Sequence, residues 1–301
     1  MKRFNKPPYL LYLFCCIMVV SMSGCATTGK GIGDEFKMRQ NMMEERAEIK
    51  ALGQKGKEKK RPNHLALARV LSAKGFYDIA LVQLREAEKI NGKSPEIFYL
   101  RGVCLSGKRK YKDAGSQFRA AIAADPQYSA SYAGLGIVYD MAGDHEKAVD
   151  CYKKAIELNP ANPSYYNNLG ASFMSAGNYE EAVKYFKESI ALKPDSARAV
   201  NNLGLAYGML GQYDKAYEMF ERGGSKASAC NNMGYVYQLK GKRTKAVEMY
   251  QKAIQLDPDF KQAKESLEEI ERNKRTAEQQ NVECRSKKGR EKRRTDEQQN
   301  R

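Results

Sequence analysis

Histidine is scarce in this chain of 301 residues: only His64 and His145 are present. Neither belongs to a His-x-x-x-His pair or a Cys/His cluster, the spacings that hold a metal ion. His145 falls in a short turn after Gly143, where an exposed polar residue is ordinary. Cysteine occurs seven times, yet Cys104, Cys151, Cys230 and Cys284 are separated by 47, 79 and 54 residues, which excludes a Cys-x-x-Cys redox or metal motif among them. No glycine-rich phosphate loop follows a strand-like run. With no catalytic constellation, the expectation is a protein that is not an enzyme and carries no metal or cofactor. Long apolar runs are missing as well. The stretch from Tyr9 to Val20 has 12 residues, against roughly 20 needed to span a bilayer.

Charge is uneven along the chain. The net charge is +16, of which +3 lies in the first 24 residues, +4 between Lys30 and Arg61 and +6 between Arg272 and Arg301. Only +3 remains for Pro62 to Glu271. A nucleic-acid binder concentrates positive charge on a folded face that follows a phosphate backbone, so this distribution argues against nucleic acid as a partner. Beyond Val282 the chain has almost nothing apolar to bury, and 276–301 reads as a basic, solvated tail. Two roles stay open for it: solubility, or contact with anionic head groups or cell wall within about a Debye length. Cys284, inside that tail, could be a free thiol or an intermolecular bridge. Cys104, Cys151 and Cys230 read as small apolar core residues.

The first residues carry a second pattern. Lys2, Arg3 and Lys6 precede the apolar stretch, which ends in Met22-Ser23-Gly24-Cys25. This resembles a bacterial lipoprotein signal, departing from it only in Met22 where leucine is usual. The resemblance implies removal of residues 1–24 and acylation of Cys25. Ala26 rather than aspartate after the cysteine implies an outer-membrane destination, with the folded part facing the periplasm. Residues 25–60, rich in Lys, Glu, Gly and Met, read as a lipidated tether. Phe36 to Ala51 is at most a weak helix, since its apolar residues make no firm stripe.

Self-similarity dominates the remainder. Gly102, Gly136, Gly170 and Gly204 recur every 34 residues, with Ala68 standing 34 before the first and Gly234 following after 30. Twelve residues after each comes an alanine: Ala80, Ala114, Ala148, Ala182, Ala216 or Ala246. Four further on stands Leu84, Phe118, Tyr152, Phe186, Phe220 or Tyr250. Pro126, Pro160, Pro194 and Pro258 then punctuate the units. This period and these residues resemble the tetratricopeptide-repeat family over 61–260. The resemblance implies an all-α fold, a right-handed solenoid of six helical hairpins. In it the small residue of each first helix lets the second approach, and Tyr139, Phe173, Tyr207 and Tyr237 fill the space between neighbours. Gly143, Gly177, Gly211 and Gly241 are expected at the turns, and Asn159-Pro160 and Lys193-Pro194 at the ends of second helices. Ala263, Leu267 and Ile270 share one helical face, so 261–275 reads as a capping helix.

Three first helices carry asparagine pairs: Asn167-Asn168, Asn201-Asn202 and Asn231-Asn232. A primary amide donates and accepts at once, which suits the backbone of an extended peptide. The second member of each pair resembles the asparagine ladder of peptide-binding family members, which marks these six residues as a candidate protein-binding groove. The alternative is that they bond to the adjacent helix. The lysine–asparagine clamp of chaperone-associated members has no counterpart, because Leu65 and Arg69 stand at its positions. The fifth unit is four residues short and runs into Gly223-Gly224-Ser225, where the helix is expected to end early and to restart near Ala229. That shortening reads either as a tolerated surface deletion or as a bend beside Asn231 and Asn232.

A lipidated cysteine, a short tether and six such units resemble the TadD-type pilus-assembly lipoproteins of tight-adherence systems. The segment GGSKASACNNMGYVYQLKG is also similar to late repeats of that group. The resemblance implies a protein partner, a secretin or another pilus-assembly component, and a role in exporting an Flp-type pilus. A type IV pilus secretin pilotin and a periplasmic adaptor for cell-wall enzymes are the alternatives.

Overall fold

The computed structural model describes residues 63–273 together with 275, 276 and 279. The signal, Cys25, the tether and Cys284 lie outside the described residues. Within them the chain forms helices and turns, with no strand. It divides into two compact units, Met1–Ala161 and Asn162–Arg301.

The first unit holds three hairpins. They are α1 (His64–Ala73) with α2 (Tyr77–Asn91), α3 (Pro95–Gly107) with α4 (Tyr111–Ala124), and α5 (Ser129–Met141) with α6 (His145–Leu158). The second unit holds α7 (Pro163–Ser175) with α8 (Tyr179–Leu192), α9 (Ala197–Met209) with α10 (Tyr213–Gly223), and α11 (Lys226–Leu239) with α12 (Arg243–Leu256). A final helix, α13, runs over 261–273.

Local chemistry sets the boundaries. Asn63, Ser94, Asn162, Ser196 and Ser225 cap α1, α3, α7, α9 and α11, each accepting from a backbone N–H in the first turn. The second helices α4, α6, α8 and α12 stop at Asp125, Asn159, Lys193 and Asp257, each followed by proline. Inside every hairpin the turn closes in the same way. In the first, Phe76 N–H donates to Leu71 C=O at 2.9 Å and Gly75 N–H to Ser72 C=O at 3.2 Å. That geometry needs a left-handed residue at the helix end, and Gly143, Gly177, Gly211 and Gly241 supply it with φ of 79, 86, 79 and 70°. In the second hairpin Arg109 takes the same place at φ 58°, a conformation that costs a side-chain-bearing residue roughly 1–2 kcal/mol.

The core is built on a contact between sizes. A methyl group added at Gly102 would lie 2.5 Å from the Phe118 ring, at Gly136 2.7 Å from Tyr152, and at Gly234 2.7 Å from Tyr250. At Gly170 and Gly204 the corresponding rings are Phe186 and Phe220, each at 2.8 Å. In each of these five hairpins the ring of the second helix therefore packs against backbone that the first helix leaves bare. The first hairpin has Ala68 in place of glycine and the smaller Leu84 in place of a ring, and both are fully buried in one cluster. Volume is conserved across the pair although neither residue is.

A second pairing accompanies the first. Where the ring is tyrosine, its hydroxyl is buried and needs an acceptor. Tyr152 donates to Asp140 Oδ2 at 2.9 Å, and Tyr250 to Gln238 Oε1 at 2.8 Å, both 12 residues earlier. Asp140 is only 7% exposed and also meets His145 Nδ1 at 2.9 Å. His145 is thus half-buried and bonded, and not the exposed turn residue its position suggested. The sequence missed this because Asp140 sits on the helix before the turn.

The shortened fifth hairpin follows expectation with one change. Helix α10 has 11 residues against 14 in α8 and α12, and ends at Gly223. The next helix restarts at Lys226, earlier than near Ala229, because the Ser225 hydroxyl accepts from Ser228 N–H and starts the turn at once. At the chain's far side, Ala263 and Ile270 of α13 are buried against Cys230, Ala246, Tyr250 and Ala253, with Leu267 partly covered. Arg243 adds a bond to the Ile270 carbonyl.

Two stability outcomes follow. Replacing Arg109 by Gly removes the left-handed strain and is expected to raise the melting temperature, the gain being offset in part by about 0.4–1 kcal/mol of unfolded-chain entropy. Gly170→Leu forces a side chain into the Phe186 ring and is expected to lower stability by about 1–3 kcal/mol or more, seen as a lower midpoint in denaturant unfolding followed by circular dichroism.

Candidate protein-interaction site

All six asparagines lie in the second unit, on α7, α9 and α11. Asn202 Nδ2 donates to Asn167 Oδ1 at 3.0 Å, joining α9 to α7, and the two side chains are 8% and 6% exposed. This pair bonds across neighbouring helices, the alternative that the sequence left open. Asn201 Oδ1 lies against the end of α10: a Cβ at Gly223 would come within 2.5 Å of it. The glycine that shortens the fifth hairpin therefore also makes room for this amide. Asn231 Nδ2 reaches Asn232 Oδ1 at 3.5 Å. Asn168 and Asn232 are half-buried on α7 and α11.

The first members of the pairs are equivalent positions with different fates. Asn167 Oδ1 is satisfied by Asn202, whereas Asn201 Oδ1 and Asn231 Oδ1 are buried without a hydrogen-bond partner. A buried carbonyl left without a donor costs about 1–3 kcal/mol.

Sequence reading missed a second feature, a cleft of about 510 Å³ between α8, α9 and α10. Ile190, Leu203 and Met219 supply apolar lining, and Lys187, Lys215 and Arg222, with Glu218 among them, supply charge. The Lys187 and Lys215 ammonium groups lie 6.0 and 5.5 Å from the centre of the Tyr207 ring, within reach of cation–π attraction. A signal for part of this exists in the sequence. Tyrosine followed eight residues later by lysine recurs as Tyr139–Lys147, Tyr207–Lys215 and Tyr237–Lys245, with separations of 5.7, 5.5 and 5.7 Å.

The thiols behave as core groups. Cys104 and Cys230 are fully buried and Cys151 is half-buried. Burial, helped for Cys104 by the nearby Asp78 charge, pushes Cys104 and Cys151 up to about 11, so both are protonated at neutral pH and poor nucleophiles. Among the described residues, no group of three or more His, Cys, Asp or Glu side chains is placed to hold a metal ion, and no helix is long and apolar enough to cross a membrane.

Repeat-family models match the chain at 65–129, 141–177, 163–223 and 227–260, described as TPR repeat or tetratricopeptide repeat. Together they cover more than half of it, over the same hairpins that carry the paired glycines and rings. The chain belongs to the tetratricopeptide-repeat family. Its all-α fold is shared with solved structures. Pseudomonas aeruginosa pilF superposes with a TM-score of 0.54 at 20% identity, over 68% of this chain and 96% of that one. A chain of the APC/C hetero-tetramer Cut9–Hcn1 gives 0.56 at 17% identity, over 73% of this chain and 44% of that one. YrrB, described as a TPR protein with an unusual peptide-binding site, gives 0.46 at 24% identity over 61% of this chain and 96% of that one. No curated protein matches in sequence. Tetratricopeptide repeats are in general a non-enzymatic protein-interaction fold, and the asparagine rows and the basic cleft lie on such repeats.

If the second asparagines hold a partner backbone, replacing Asn168, Asn202 and Asn232 together by Ala weakens capture of that partner. At roughly 0.5–1.5 kcal/mol per lost bond the loss is tenfold or more in affinity. Loss of melting temperature without loss of binding would assign these amides to the helix contacts alone.

Proposed function

We propose that this tetratricopeptide-repeat protein is a lipid-anchored scaffold of the outer membrane. Cys25 is its acylation site, the hairpins face the periplasm, and the partner is a secretin or other component of an Flp pilus (Tad) assembly machine. The observation that carries the anchor is the sequence Met22-Ser23-Gly24-Cys25 behind a basic start and a 12-residue apolar stretch. The observation that supports the scaffold role is the tetratricopeptide-repeat fold itself, with asparagine pairs recurring on α7, α9 and α11. The pilus assignment rests on the order of signal, tether and six repeats, which resembles the TadD-type lipoproteins. In this reading the lipid chains hold the protein at the membrane by burial worth about 0.8 kcal/mol per methylene, and the repeats present polar and basic surface to the partner.

Cys25→Ala tests the anchor. The variant is expected to keep the circular dichroism spectrum and melting curve of the repeats and to move from the membrane fraction to the soluble fraction. A Cys25→Ala chain that still pelleted with membranes in high salt would contradict the reading.

A further inference from the structure

The cleft of about 510 Å³ between α8, α9 and α10 has an apolar floor and a cationic rim. Leu203 and Tyr207 of α9 are buried at its base, and Ile190 and Met219 beside them are half-buried. Lys187 comes from α8, Lys215 and Arg222 from α10, and all three are exposed. The two ammonium groups reach the one Tyr207 ring from the two helices that flank it, at 6.0 and 5.5 Å from its centre. The cleft lies within the second unit and shares no lining residue with the asparagine pairs.

These cations are uncompensated. Lys215 donates to the neutral Gln212 side chain at 3.0 Å, and Arg222 to the Pro194 carbonyl at 3.0 Å. Among the described residues none of the three forms an ion pair, and the neighbouring Glu181 and Glu221 are engaged by Lys184 and Lys226. Glu218 offsets one charge of the three, which leaves a positive excess over an apolar base. The third hairpin also has lysines at the places of Lys215 and Arg222, but there Lys147 is tied to Asp144 at 2.6 Å and Lys154 to Glu157 at 2.7 Å. The fourth has Glu181 and Glu188 at those places. The repeat itself therefore demands no free cation at either position. Like charges gathered at one ring repel, and a carboxylate seated among them, partly shielded from water, is attracted by all. Nucleic acid is a poor match, since so few cations make no track along a phosphate backbone. A bilayer is a poor match too, because side chains that enter lipid project outward, whereas these apolar groups are recessed behind exposed charge.

We propose that the Tyr207 cleft takes an acidic linear segment of a protein partner, with one large apolar side chain seated on Leu203, Tyr207 and Met219 and flanking carboxylates on Lys187, Lys215 and Arg222. Such a segment belongs to the partner of the scaffold reading, on which the assignment rests, and it requires neither the pilus nor the lipid anchor.

Methyl NMR on the full chain tests it with short blocked peptides, Asp-Glu-Xaa-Asp-Glu with Leu, Met, Phe or Tyr at the centre. At least one of these is expected to shift the Ile190, Leu203 and Met219 methyl signals saturably. Replacing the centre by Ala, or the acidic flanks by Lys, is expected to weaken binding at least about tenfold. The same loss is expected in Lys187→Gln/Lys215→Gln, a change of two exposed residues that leaves the melting curve of the repeats in place. Lys153→Gln/Lys252→Gln removes equal charge, at the places that Lys187 and Arg222 hold in their own hairpins, and is expected to leave binding unchanged. No saturable shift with any peptide of the series overturns the proposal, while the scaffold reading stands or falls separately on partner capture by the asparagine variant. Equal loss in both lysine variants overturns it as well, by reducing the effect to net charge. So do cleft shifts that appear only with vesicles of phosphatidylethanolamine and phosphatidylglycerol, which assign the patch to a membrane, or with rising protein concentration alone, which assign it to a second copy.

Discussion

The contact on which the rest depends is an aromatic ring lying on bare backbone. A helical hairpin of some 30 residues has too little apolar surface to fold alone, so the two helices must approach closely enough for a ring to be removed from water on both faces. Glycine at one point of the first helix permits that approach, and the ring four residues beyond the second helix's alanine fills it. At Gly102, Gly136, Gly170, Gly204 and Gly234 a methyl group would meet a ring closer than 3.0 Å. The alanines from Ala80 to Ala246 are fully buried beside them. The candidate interaction features are held by this spacing: the asparagines, the lysines over tyrosine and the cleft beside Tyr207 all lie on helices that the ring contact positions.

Much of this was legible in the sequence, and the parts that were not share a cause. The period of 34 residues and its punctuation by proline and glycine report local backbone requirements, which a sequence displays directly. Arg109 at φ 58° was not visible, since an arginine gives no sign of taking a left-handed turn that glycine takes in four later hairpins. Nor was the bond from Tyr152 to Asp140 read, although tyrosine with an acceptor 12 residues earlier recurs in Tyr250 and Gln238. Such a rule becomes apparent only once the ring is known to be buried. The pairing of Asn202 with Asn167 depends on how two first helices lie side by side, and that tertiary fact has no local signature.

Hairpins of similar backbone differ in what their surfaces offer. The second unit concentrates amides and cations around a shortened hairpin, where Gly223 admits the Asn201 side chain and Arg222 donates to the Pro194 carbonyl at 3.0 Å. The first hairpin instead carries Ile79 and Val82 at positions that are charged or polar in the other hairpins. Both departures fall where the repeat pattern itself is broken, at an end and at a deletion. A regular array spends its sequence on stacking, and irregular places are where binding chemistry finds room.

The central claim is that glycine and ring act as one unit of fixed volume. A double-mutant cycle of Gly102→Ala with Phe118→Leu measures it most directly, because the double change reproduces the Ala68 and Leu84 pair of the neighbouring hairpin. Each single change is expected to destabilise, one by overpacking and the other by leaving a void. The double variant is expected to be more stable than the sum of the singles by about 1 kcal/mol or more in equilibrium denaturation. Strict additivity of the two changes would contradict the account.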